Sequence, residues 1–450
     1  DLATESGGSV LPVFILDDDT AGAWAFGGAR RWWLHASLTS LARDLEARGA
    51  SLTLRRGRAE VELAALVRET GAKAIVWTRR PEPHYRRQGR LVAEAMDTLQ
   101  VRVFAEDDFF LHPPDRIKTG QGKPYAVFTP FWRALQALGD PPKAKAAPEK
   151  LPGFKGPVSS DNLADWGLLP GKPDWAGGLR ESWQPGEAGA QERLGAFIAE
   201  QLDDYAAGRD ELAAEGTSRL SPHLAFGEIS PRQIWHAAAG HENGEPFLRQ
   251  LGWREFSHHQ LLRNPSLPAK PLREAFEAFP WRDDEDGFRA WCQGRTGYPV
   301  VDAGMRELWV TGTMHNRARM IVGSFLVKDL MVHWRRGEDW FWDTLCDANL
   351  ANNAASWQWI AGCGIDAAPY FRVFNPVRQG EKFDPDGAYV RRWVPELASL
   401  PNALIHAPWE ATEMELAVAG VRLGETYPAP VIDHKSARDR ALAAFKSLGN

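Results

Sequence analysis

The sequence predicts a chain of two parts, an N-terminal α/β unit with a doubly wound parallel sheet and a larger all-helical unit, joined by a long linker. Short β-branched runs alternate with helical periods over residues 1–135, as in a parallel α/β layer. Residues 136–190 are rich in proline and glycine, and residues 191–450 are helical in period. We therefore expect domains at 1–135 and 191–450, with the linker between them.

The N-terminal part shows strand and helix signals in strict alternation. The predicted strands cover residues 10–16, 51–54, 73–77 and 101–104. The segments between them carry apolar residues three and four apart, which indicates crossover helices at 28–47, 59–69 and 85–98. A Gly-x-Gly-x-x-Gly string follows none of these strands, so the usual dinucleotide fingerprint is missing from its usual place.

The linker and the helices after it are marked by proline and glycine. Pro141-Pro142 and Gly177-Gly178 lie in a stretch that is too long for an ordinary connection. Beyond it, Ser221-Pro222 and Ser230-Pro231 predict helix starts in which serine caps the helix and proline occupies the first turn.

Composition narrows the class of protein. The 450 residues carry a net charge of −6, which excludes a molecule that is basic overall but leaves a local basic groove open. No apolar run approaches the ~20 residues of a membrane helix, and no secretory signal begins the chain. The three cysteines lack the spacing of a disulfide framework or a zinc site, so we expect a cytoplasmic protein without a metal. The chain has 20 tryptophans, an unusual number. Their indole rings can pack in the core, stack on nucleobases or act as redox groups.

The helical half contains a string suited to a diphosphate. Thr-Ser-Arg-Leu-Ser at 217–221 supplies hydroxyls, a guanidinium and a helix start within a few residues. The alternative for the string taken alone is an ordinary capped helix with Arg219 in solvent.

A second string, Met-His-Asn-Arg-Ala-Arg-Met at 314–320, opens an apolar helical run. At about 100° per residue its two arginines point to opposite sides of the helix, while Asn316 and Met320 share a side. One arginine must therefore face inward, where Asp347 is the expected anionic partner. The alternative is an exposed arginine lying over apolar surface, and His315 is more often a core histidine than a base.

A third string, Trp-Gln-Trp at 357–359, carries two indoles that look in different directions on a helix. Trp357 and Trp359 cannot fill the same pocket, so we expect separate roles. For either one alone, packing in a core or an interface is the simpler interpretation.

Several ordered segments carry a resemblance to a known family. They are Trp-Arg-Glu-Phe at 253–256, Thr-Gly-Tyr-Pro-Val-Val-Asp-Ala at 296–303, the strings at 314–320 and 357–359, and Asp-Ala-Ala-Pro-Tyr-Phe-Arg-Val-Phe-Asn-Pro at 366–376. Over nearly the whole chain they resemble the signature segments of the DNA photolyase and cryptochrome family. The Met-His-Asn-Arg string is similar to that of members acting on cyclobutane pyrimidine dimers, and the end of the chain resembles the bacterial class III subgroup.

The resemblance implies a U-shaped FAD in the helical domain and light-dependent repair of pyrimidine dimers in DNA by electron transfer from excited, reduced FAD. By matching positions, its phosphate and adenosine side would be held by Tyr205, Thr217, Ser218, Arg219, Leu220 and Ser221. Its isoalloxazine side would be held by Arg319, Asp347, Asn349 and Asn353. An amide at Asn353 can hydrogen-bond to the flavin without supplying a labile proton, which favours the fully reduced, anionic flavin and hence repair.

The family also implies an electron relay and a lesion site. The relay would run from Trp357, nearest the flavin, through Trp334 to Trp281 toward the surface, with packing as the alternative role of each indole. A dimer flipped out of the duplex would lie between Trp253 and Trp359, with Asn316 and Met320 beneath it. The residues expected to hold DNA or the lesion are Arg209, Arg254, Arg317, Arg372 and Gln379.

Three departures from the family pattern stand out. Gln250 replaces a frequent glutamate, although an amide can still bond to a pyrimidine edge. Asn349 replaces a frequent aspartate near the flavin. The sequence also begins without the family's usual first strand and its Arg-Asp-Leu-Arg segment, so we expect either a short start or missing residues.

The remaining expectations concern partners and the second class of function. Subgroup resemblance points to 5,10-methenyltetrahydrofolate as the antenna chromophore of the α/β domain, without assignable contacts. We expect a monomer that binds dimer-containing DNA and does not bind a membrane.

The alternative function is that of a cryptochrome-type blue-light photoreceptor without repair activity. Such receptors often add a C-terminal extension, whereas this sequence ends soon after Lys446. A light-independent FAD oxidoreductase lacks any sequence for a nicotinamide partner.

Overall fold

The computed structural model describes residues 8–365 and 371–449, so positions 366–370 of the last signature segment lie outside the described residues. The α-helices of the N-terminal half are α1 (Asp18–Ala21), α2 (Gly28–Ala47), α3 (Ala59–Thr70), α4 (Pro83–Thr98), α5 (Phe128–Gln136), α6 (Gly177–Ser182), α7 (Glu187–Glu200), α8 (Tyr205–Gly208), α9 (Ser221–Phe226), α10 (Pro231–Ala238) and α11 (Glu245–Arg263). Those that follow are α12 (Glu285–Cys292), α13 (Pro299–Thr311), α14 (Asn316–Ser324), α15 (Trp334–Thr344), α16 (Leu350–Ala361), α17 (Pro376–Phe383), α18 (Ala388–Trp393), α19 (Glu413–Ala419) and α20 (His434–Ser447). A π-helical segment, Phe325–Asp329, continues α14.

The four predicted strands are present as β1 (Val13–Leu16), β2 (Thr53–Arg56), β3 (Ala74–Thr78) and β4 (Arg102–Glu106). They pair in parallel, as the crossover helices require, and the α/β plus all-α class is confirmed. The strands form two ladders, β1 with β2 and β3 with β4, in place of the one sheet that we expected.

Each ladder has an edge that faces away from its partner strand. In a parallel pair, successive residues of a strand turn their backbone groups alternately toward and away from the partner strand. Because the Thr53 N–H donates to the Pro12 carbonyl, the backbone groups of Val13 and Ile15 face away from β2. The same alternation turns the groups of Val76 in β3 away from β4. β1 and β3 both line one cavity of about 1710 Å³, and in the described part of the chain no backbone hydrogen bond joins them. Strands of one sheet lie about 4.8 Å apart, a spacing at which backbone bonds would form.

The crossover helices bury the apolar stripes that the sequence predicted. Leu34 and Leu38 of α2 pack against Leu16 and Leu54 of the first ladder. Ala64 of α3 packs with residues of α4 in a second cluster, which also contains Val101 next to β4. Ile15 of β1 and Ile75 of β3 both pack against this second cluster, so the two ladders share that layer of helices.

Part of the predicted linker completes the first ladder. Val10 forms a parallel bridge with Gly153, where a Cβ would lie only 2.7 Å from Ala50 Cα, so a side chain has no room there. Trp166 and Leu168 join the cluster around β1 and β2. The linker stretch also contains α6 and the start of α7. The proposed boundaries at 135 and 190 stay a prediction.

Contacts divide the chain into two compact units. The first comprises the chain up to Ala176 together with Trp183–Ile198 and Arg219–Pro265, and the second comprises Gly177–Ser182, Ala199–Ser218 and the chain from Ser266. Among the described residues of the second unit the regular elements are helices. In the parts of the chain that the structure describes, no helix has the length and apolar character needed to cross a membrane.

The two predicted serine caps differ in outcome. Ser230 caps α10, and its capping box with Gln233 confirms that prediction. Ser221 does not cap α9, because it is the first helical residue and Leu220 precedes it in an α conformation without a side-chain cap. The chain turns one residue earlier, at Arg219, whose φ is 50°.

Candidate functional site

The predicted diphosphate string runs across the boundary of the two units, and its first-unit part has a distinctive backbone. Arg219 has a φ of 50° and Leu220 is right-handed, a succession that can turn consecutive backbone N–H groups toward one side as an anion-binding nest. A residue other than glycine adopts this φ only at a cost. The Arg219 guanidinium lies 4.5 Å from the ring centre of Trp183, and this cation–π contact offsets part of that cost.

A buried network holds Trp183 in place, and sequence reasoning missed it. Trp33 of α2 packs edge to face against Trp183 at 5.3 Å, and its indole N–H donates to Glu228 at 3.0 Å. The other Glu228 oxygen lies 2.5 Å from His223 Nδ1, which must carry the proton because a carboxylate oxygen only accepts. His223 and Glu228 belong to α9 and the residues just after it, so this network fixes the helix that Ser221 begins. A histidine and a glutamate five residues apart were a weak signal by themselves.

Trp253, a predicted wall of the lesion cavity, lies on α11 in the first unit. Its ring stacks on Phe128 with a centroid distance of 3.6 Å and an angle of 5°, so one face of the indole is covered. Gln250, one turn earlier, donates to the carbonyl of Pro246 at 3.1 Å. Both residues therefore lie on the same face of α11.

Arg254 is largely buried, and its DNA contact stays a prediction. Its side chain is 10% exposed, donates to Glu255 at 2.6 Å and to the Phe109 carbonyl at 3.2 Å, and lies over the Phe109 ring. Glu255 in turn accepts from the backbone N–H of Leu111. The Arg-Glu pair thus fastens α11 to residues 109–111, and a buried guanidinium is stable only with such a partner.

The second unit confirms the pairing of Arg319 with Asp347. The guanidinium contacts both carboxylate oxygens, at 2.9 and 3.2 Å, and also donates to the Met314 carbonyl at 2.8 Å. The Asp347 side chain is 5% exposed and that of Arg319 28%. The other arginine of the string, Arg317, also has a carboxylate partner, since it binds Asp210 at 2.7 and 3.0 Å. This second pair was not predicted because Asp210 lies 107 residues away in sequence.

The predicted lesion face at the start of α14 is exposed. Asn316 Nδ2 lies 3.9 Å from Met320 Sδ, so the two residues share a side, as the helical spacing predicted. His315 caps the helix through Nδ1, which accepts from the Arg317 N–H at 3.2 Å, and its other nitrogen therefore carries the proton. Burial lowers the pKa of His315 to about 4, so the ring is neutral at neutral pH.

Two asparagines predicted beside the flavin have defined local roles. Asn349 caps α16 by accepting from the Asn352 N–H at 3.1 Å, a role that an aspartate could also fill. Asn353 is buried, and its Nδ2 donates to the Glu338 carbonyl at 2.9 Å, which leaves its own oxygen as the second polar atom. Burial raises the pKa of the Glu338 carboxyl well above its usual range.

Two of the three relay indoles are buried, and the third is more exposed. Trp357 and Trp334 are 3% and 1% exposed, and Trp281 is half-buried. The Trp357 ring packs against Phe341 at 5.0 Å and fits closely against Gly337.

His333 links two of these indoles and was not predicted. Its ring lies 5.1 Å from that of Trp281 and 5.6 Å from that of Trp334, whereas no direct ring contact joins the two indoles in the described residues. Burial lowers the pKa of His333 to about 4, so it is a neutral spacer at neutral pH. Its position directly before Trp334 was the available signal.

Trp359 and Arg372 are two further predicted contacts in the second unit. Trp359 is half-buried while Trp357 is buried, which agrees with separate roles for the two indoles. Arg372 is exposed, and its carbonyl accepts from Lys328 Nζ at 2.9 Å. The Lys328 ammonium also lies 3.7 Å from the ring centre of Phe371, so this buried lysine fixes the backbone that carries Arg372. Burial lowers the pKa of Lys328 to about 7.

Tyr205, Arg209 and Gln379 complete the predicted set. Tyr205 is 6% exposed at the start of α8, and the Arg209 guanidinium lies 5.5 Å from its ring centre. Gln379 lies half-buried in the first turn of α17. Thr217 and Ser218 are half-buried just before the nest.

Each unit thus presents its own set of groups. The first offers a backbone nest braced by Trp183, which suits an anionic diphosphate. The second offers an ion pair and a buried amide, which suit the polar edge of a flavin ring, beside a buried indole. The hydrogen-bond donors described in both units are neutral or cationic, which suits a cofactor with an anionic diphosphate.

Comparisons with known proteins match the whole chain. The family described as the FAD binding domain of DNA photolyase matches residues 247–447, and that described as DNA photolyase matches residues 2–150. The chain is 50% identical over 460 residues to "Deoxyribodipyrimidine photo-lyase" of Agrobacterium fabrum, covering 99% of this chain and 94% of that protein. It is 38% identical to "Cryptochrome-2" of Arabidopsis thaliana, covering 97% of this chain and 74% of that protein.

Solved structures agree with the sequence comparisons. A bacterial class III photolyase from Agrobacterium tumefaciens superposes with a TM-score of 0.96 at 49% identity, covering 99% of this chain and 93% of that one. A cryptochrome from Synechocystis sp. PCC6803 gives a TM-score of 0.90 at 28% identity, with coverage of 98% and 95%. The nest, the Arg319–Asp347 pair and the buried indoles described above are therefore features of a chain that belongs to the DNA photolyase and cryptochrome family.

Proposed function

We propose that this chain is a deoxyribodipyrimidine photo-lyase that repairs cyclobutane pyrimidine dimers in DNA when illuminated. The observation that carries the proposal is the 50% identity, over 99% of the chain, to a bacterial relative of that name. The buried amide of Asn353 supports the same activity, because an amide offers a hydrogen bond to a reduced flavin without a labile proton.

FAD is the cofactor of this family, and the residues present fit it. When bound, reduced FAD that has absorbed light supplies the electron that splits the dimer. We propose that its isoalloxazine is held by the groups around Arg319, Asp347, Asn349 and Asn353. Its phosphates and adenosine would be held by Tyr205, Thr217, Ser218, Arg219, Leu220 and Ser221. The nest at Arg219 supports this assignment, since backbone N–H groups donate to diphosphate oxygens independently of the side chains.

The indoles Trp357, Trp334 and Trp281 are proposed to carry electrons from outside to oxidised flavin. The greater exposure of Trp281 supports its place as the outermost indole, because that indole must reach a reductant in solvent. His333 fills the space between the last two rings and holds them apart at a fixed distance. The neutral ring adds no charge that would oppose a positive hole on either indole.

The lesion is proposed to meet both an aromatic wall and the polar start of α14. Trp253 and Trp359 would cover the flipped bases, and Asn316 and Met320 would lie beneath them. Arg317 is committed to Asp210 on one side, so its contribution to DNA affinity is smaller than that of an unpaired arginine. Arg209, Gln250, Arg254, Arg372 and Gln379 are proposed as further contacts to DNA or the lesion.

Three finer assignments remain predictions. The antenna is expected to be 5,10-methenyltetrahydrofolate, bound to the α/β domain. The protein is expected to act as a monomer and in the cytoplasm. Absorbance of the purified holoprotein near the folate band, and its mass in solution, test the first two.

The test of the proposed function is illumination of reduced holoprotein with an oligonucleotide that contains one thymine dimer. Pyrimidine absorbance should return in blue light and not in the dark. A Trp281→Phe variant should photoreduce its oxidised flavin more slowly, yet repair at the normal rate once chemically reduced. Absence of light-dependent repair by the unaltered protein would reject the lyase and favour the photoreceptor alternative, which the 38% identity to cryptochromes supports less well.

A further inference from the structure

The turn that leads into α14 is held from two sides. On one side, Arg319, which also binds Asp347, donates to the Met314 carbonyl at 2.8 Å. On the other side, one oxygen of Glu307 accepts from the His315 N–H at 3.1 Å and from the Tyr389 hydroxyl at 2.5 Å. We call this contact of Glu307 with the His315 N–H and the Tyr389 hydroxyl the clamp. Glu307 lies on α13 and Tyr389 on α18, and neither residue belongs to a signature segment that we identified.

Tyr389 is a rigid donor in this clamp. It is 2% exposed, and both oxygens of Asp384 fix the start of its helix, through the N–H groups of Tyr389 at 2.8 Å and Val390 at 3.0 Å. Burial and the adjacent Glu307 carboxylate raise the pKa of Tyr389 well above its usual range. The phenol therefore stays protonated and always donates to Glu307.

The clamp matters because Asn316 has little else to hold it. The side-chain contact that the described residues give Asn316 is a weak one, to a thioether at 3.9 Å. Its direction is therefore set by the backbone of the first turn of α14. The His315 N–H is one of the donors that this turn leaves outside the helical ladder, and a carboxylate with a second, fixed donor accepts it in one geometry.

We infer that Glu307 and Tyr389 are a positioning pair that sets the angle at which Asn316 meets the flipped lesion. The inference rests on the proposed function, because it gives Asn316 the role of a lesion contact. The pair acts through the backbone N–H of His315.

The test compares two hydroxyl deletions, Tyr389→Phe and Tyr427→Phe, in the holoprotein. Tyr427 is the matched control, since its buried hydroxyl also donates to a carboxylate, Asp302, at 2.6 Å. The measurement is the ratio of dissociation constants, in the dark, for an undamaged oligonucleotide and one with a thymine dimer. Tyr389→Phe should reduce this ratio by about 5-fold, the factor that corresponds to one hydrogen bond of ~1 kcal/mol. Tyr427→Phe should leave it unchanged, and flavin absorbance should be normal in both.

Equal ratios in the unaltered protein and Tyr389→Phe, or an equal loss in Tyr427→Phe, would overturn the inference. If the unaltered protein does not discriminate at all, it is the proposed function that fails. Amide hydrogen exchange of residues 312–317 then decides the positioning role without DNA. Exchange should be faster in Tyr389→Phe than in Tyr427→Phe, and identical exchange in the two variants would refute the pair's role.

Discussion

Substitution of Gly337 tests whether the fit around Trp357 is as tight as the structure shows. A Cβ at Gly337 would lie closest to Cη2 of Trp357 and 2.6 Å from its Cζ2 and Cζ3. Carbon atoms pack best at ~3.5 Å or more, so the indole would have to move by about 1 Å. Overpacking of this kind costs ~1–3 kcal/mol, and the helix preference of alanine over glycine returns ~0.5–1 kcal/mol. We expect Gly337→Ala to lower the free energy of unfolding by about 1–2 kcal/mol.

The same indole offers a matched control. A Cβ at Gly323 of α14 would lie 3.7 Å from Trp357 Cζ3 and 3.5 Å from Ile360, which is ordinary contact. Gly323→Ala should therefore be neutral or slightly stabilising, although it also adds a methyl group beside Trp357.

Two measurements distinguish the variants. Urea unfolding of the holoprotein gives the free energies, and the rate at which blue light reduces oxidised flavin reports the position of Trp357. Gly337→Ala should be less stable and slower, whereas Gly323→Ala should match the unaltered protein in both measurements. If Gly337→Ala is as stable and as fast as the unaltered protein, the packing argument is wrong. If Gly323→Ala is equally impaired, the effect belongs to any methyl group and not to this contact.

Three further predictions concern other parts of the molecule. Asp347→Asn should lose flavin during gel filtration, because Arg319 then lacks its anionic partner, and retention equal to that of the unaltered protein would refute the pair's role. The free energy of unfolding should rise with pH between about 7 and 10.5, since unfolded Lys328 binds a proton there and the folded residue does not, and Lys328→Met should flatten that rise in urea titrations. The amide of Ile15 should exchange faster than that of Phe14 in hydrogen-exchange measurements, because only the latter bonds within the ladder, and equal protection would show that the open edge is paired.

Local periodicity predicted the elements of the α/β unit well. The helix at 28–47 matches α2 at both ends, and each predicted strand overlaps an observed one. Such elements are predictable because one apolar stripe, read over a few turns, fixes which face is buried. The division into two ladders was not predictable in this way, because strand order depends on pairing between segments far apart in the chain.

The candidate site shows the same limit at the level of single residues. The partner of Arg319 was predicted because a buried guanidinium demands a carboxylate and the family pattern supplied one. Asp210, His333 and Tyr389 were missed, since each acts through a contact that only the fold creates. Arg254 was assigned to DNA from the family pattern, and its buried contact with Glu255 is another that only the fold creates.

The string at 314–320 shows how one helical turn can serve several partners at once. Its residues leave α14 in different directions, so Arg319 reaches Asp347 while Arg317 reaches Asp210. Asn316 and Met320 keep the remaining exposed side. A helix start pinned by ion pairs on two sides has little freedom to rotate, and the exposed side is then presented at a fixed angle. We therefore expect lesion recognition to depend on Asp210 and Asp347, because neutralising either carboxylate should reach Asn316 through the helix that both of them hold.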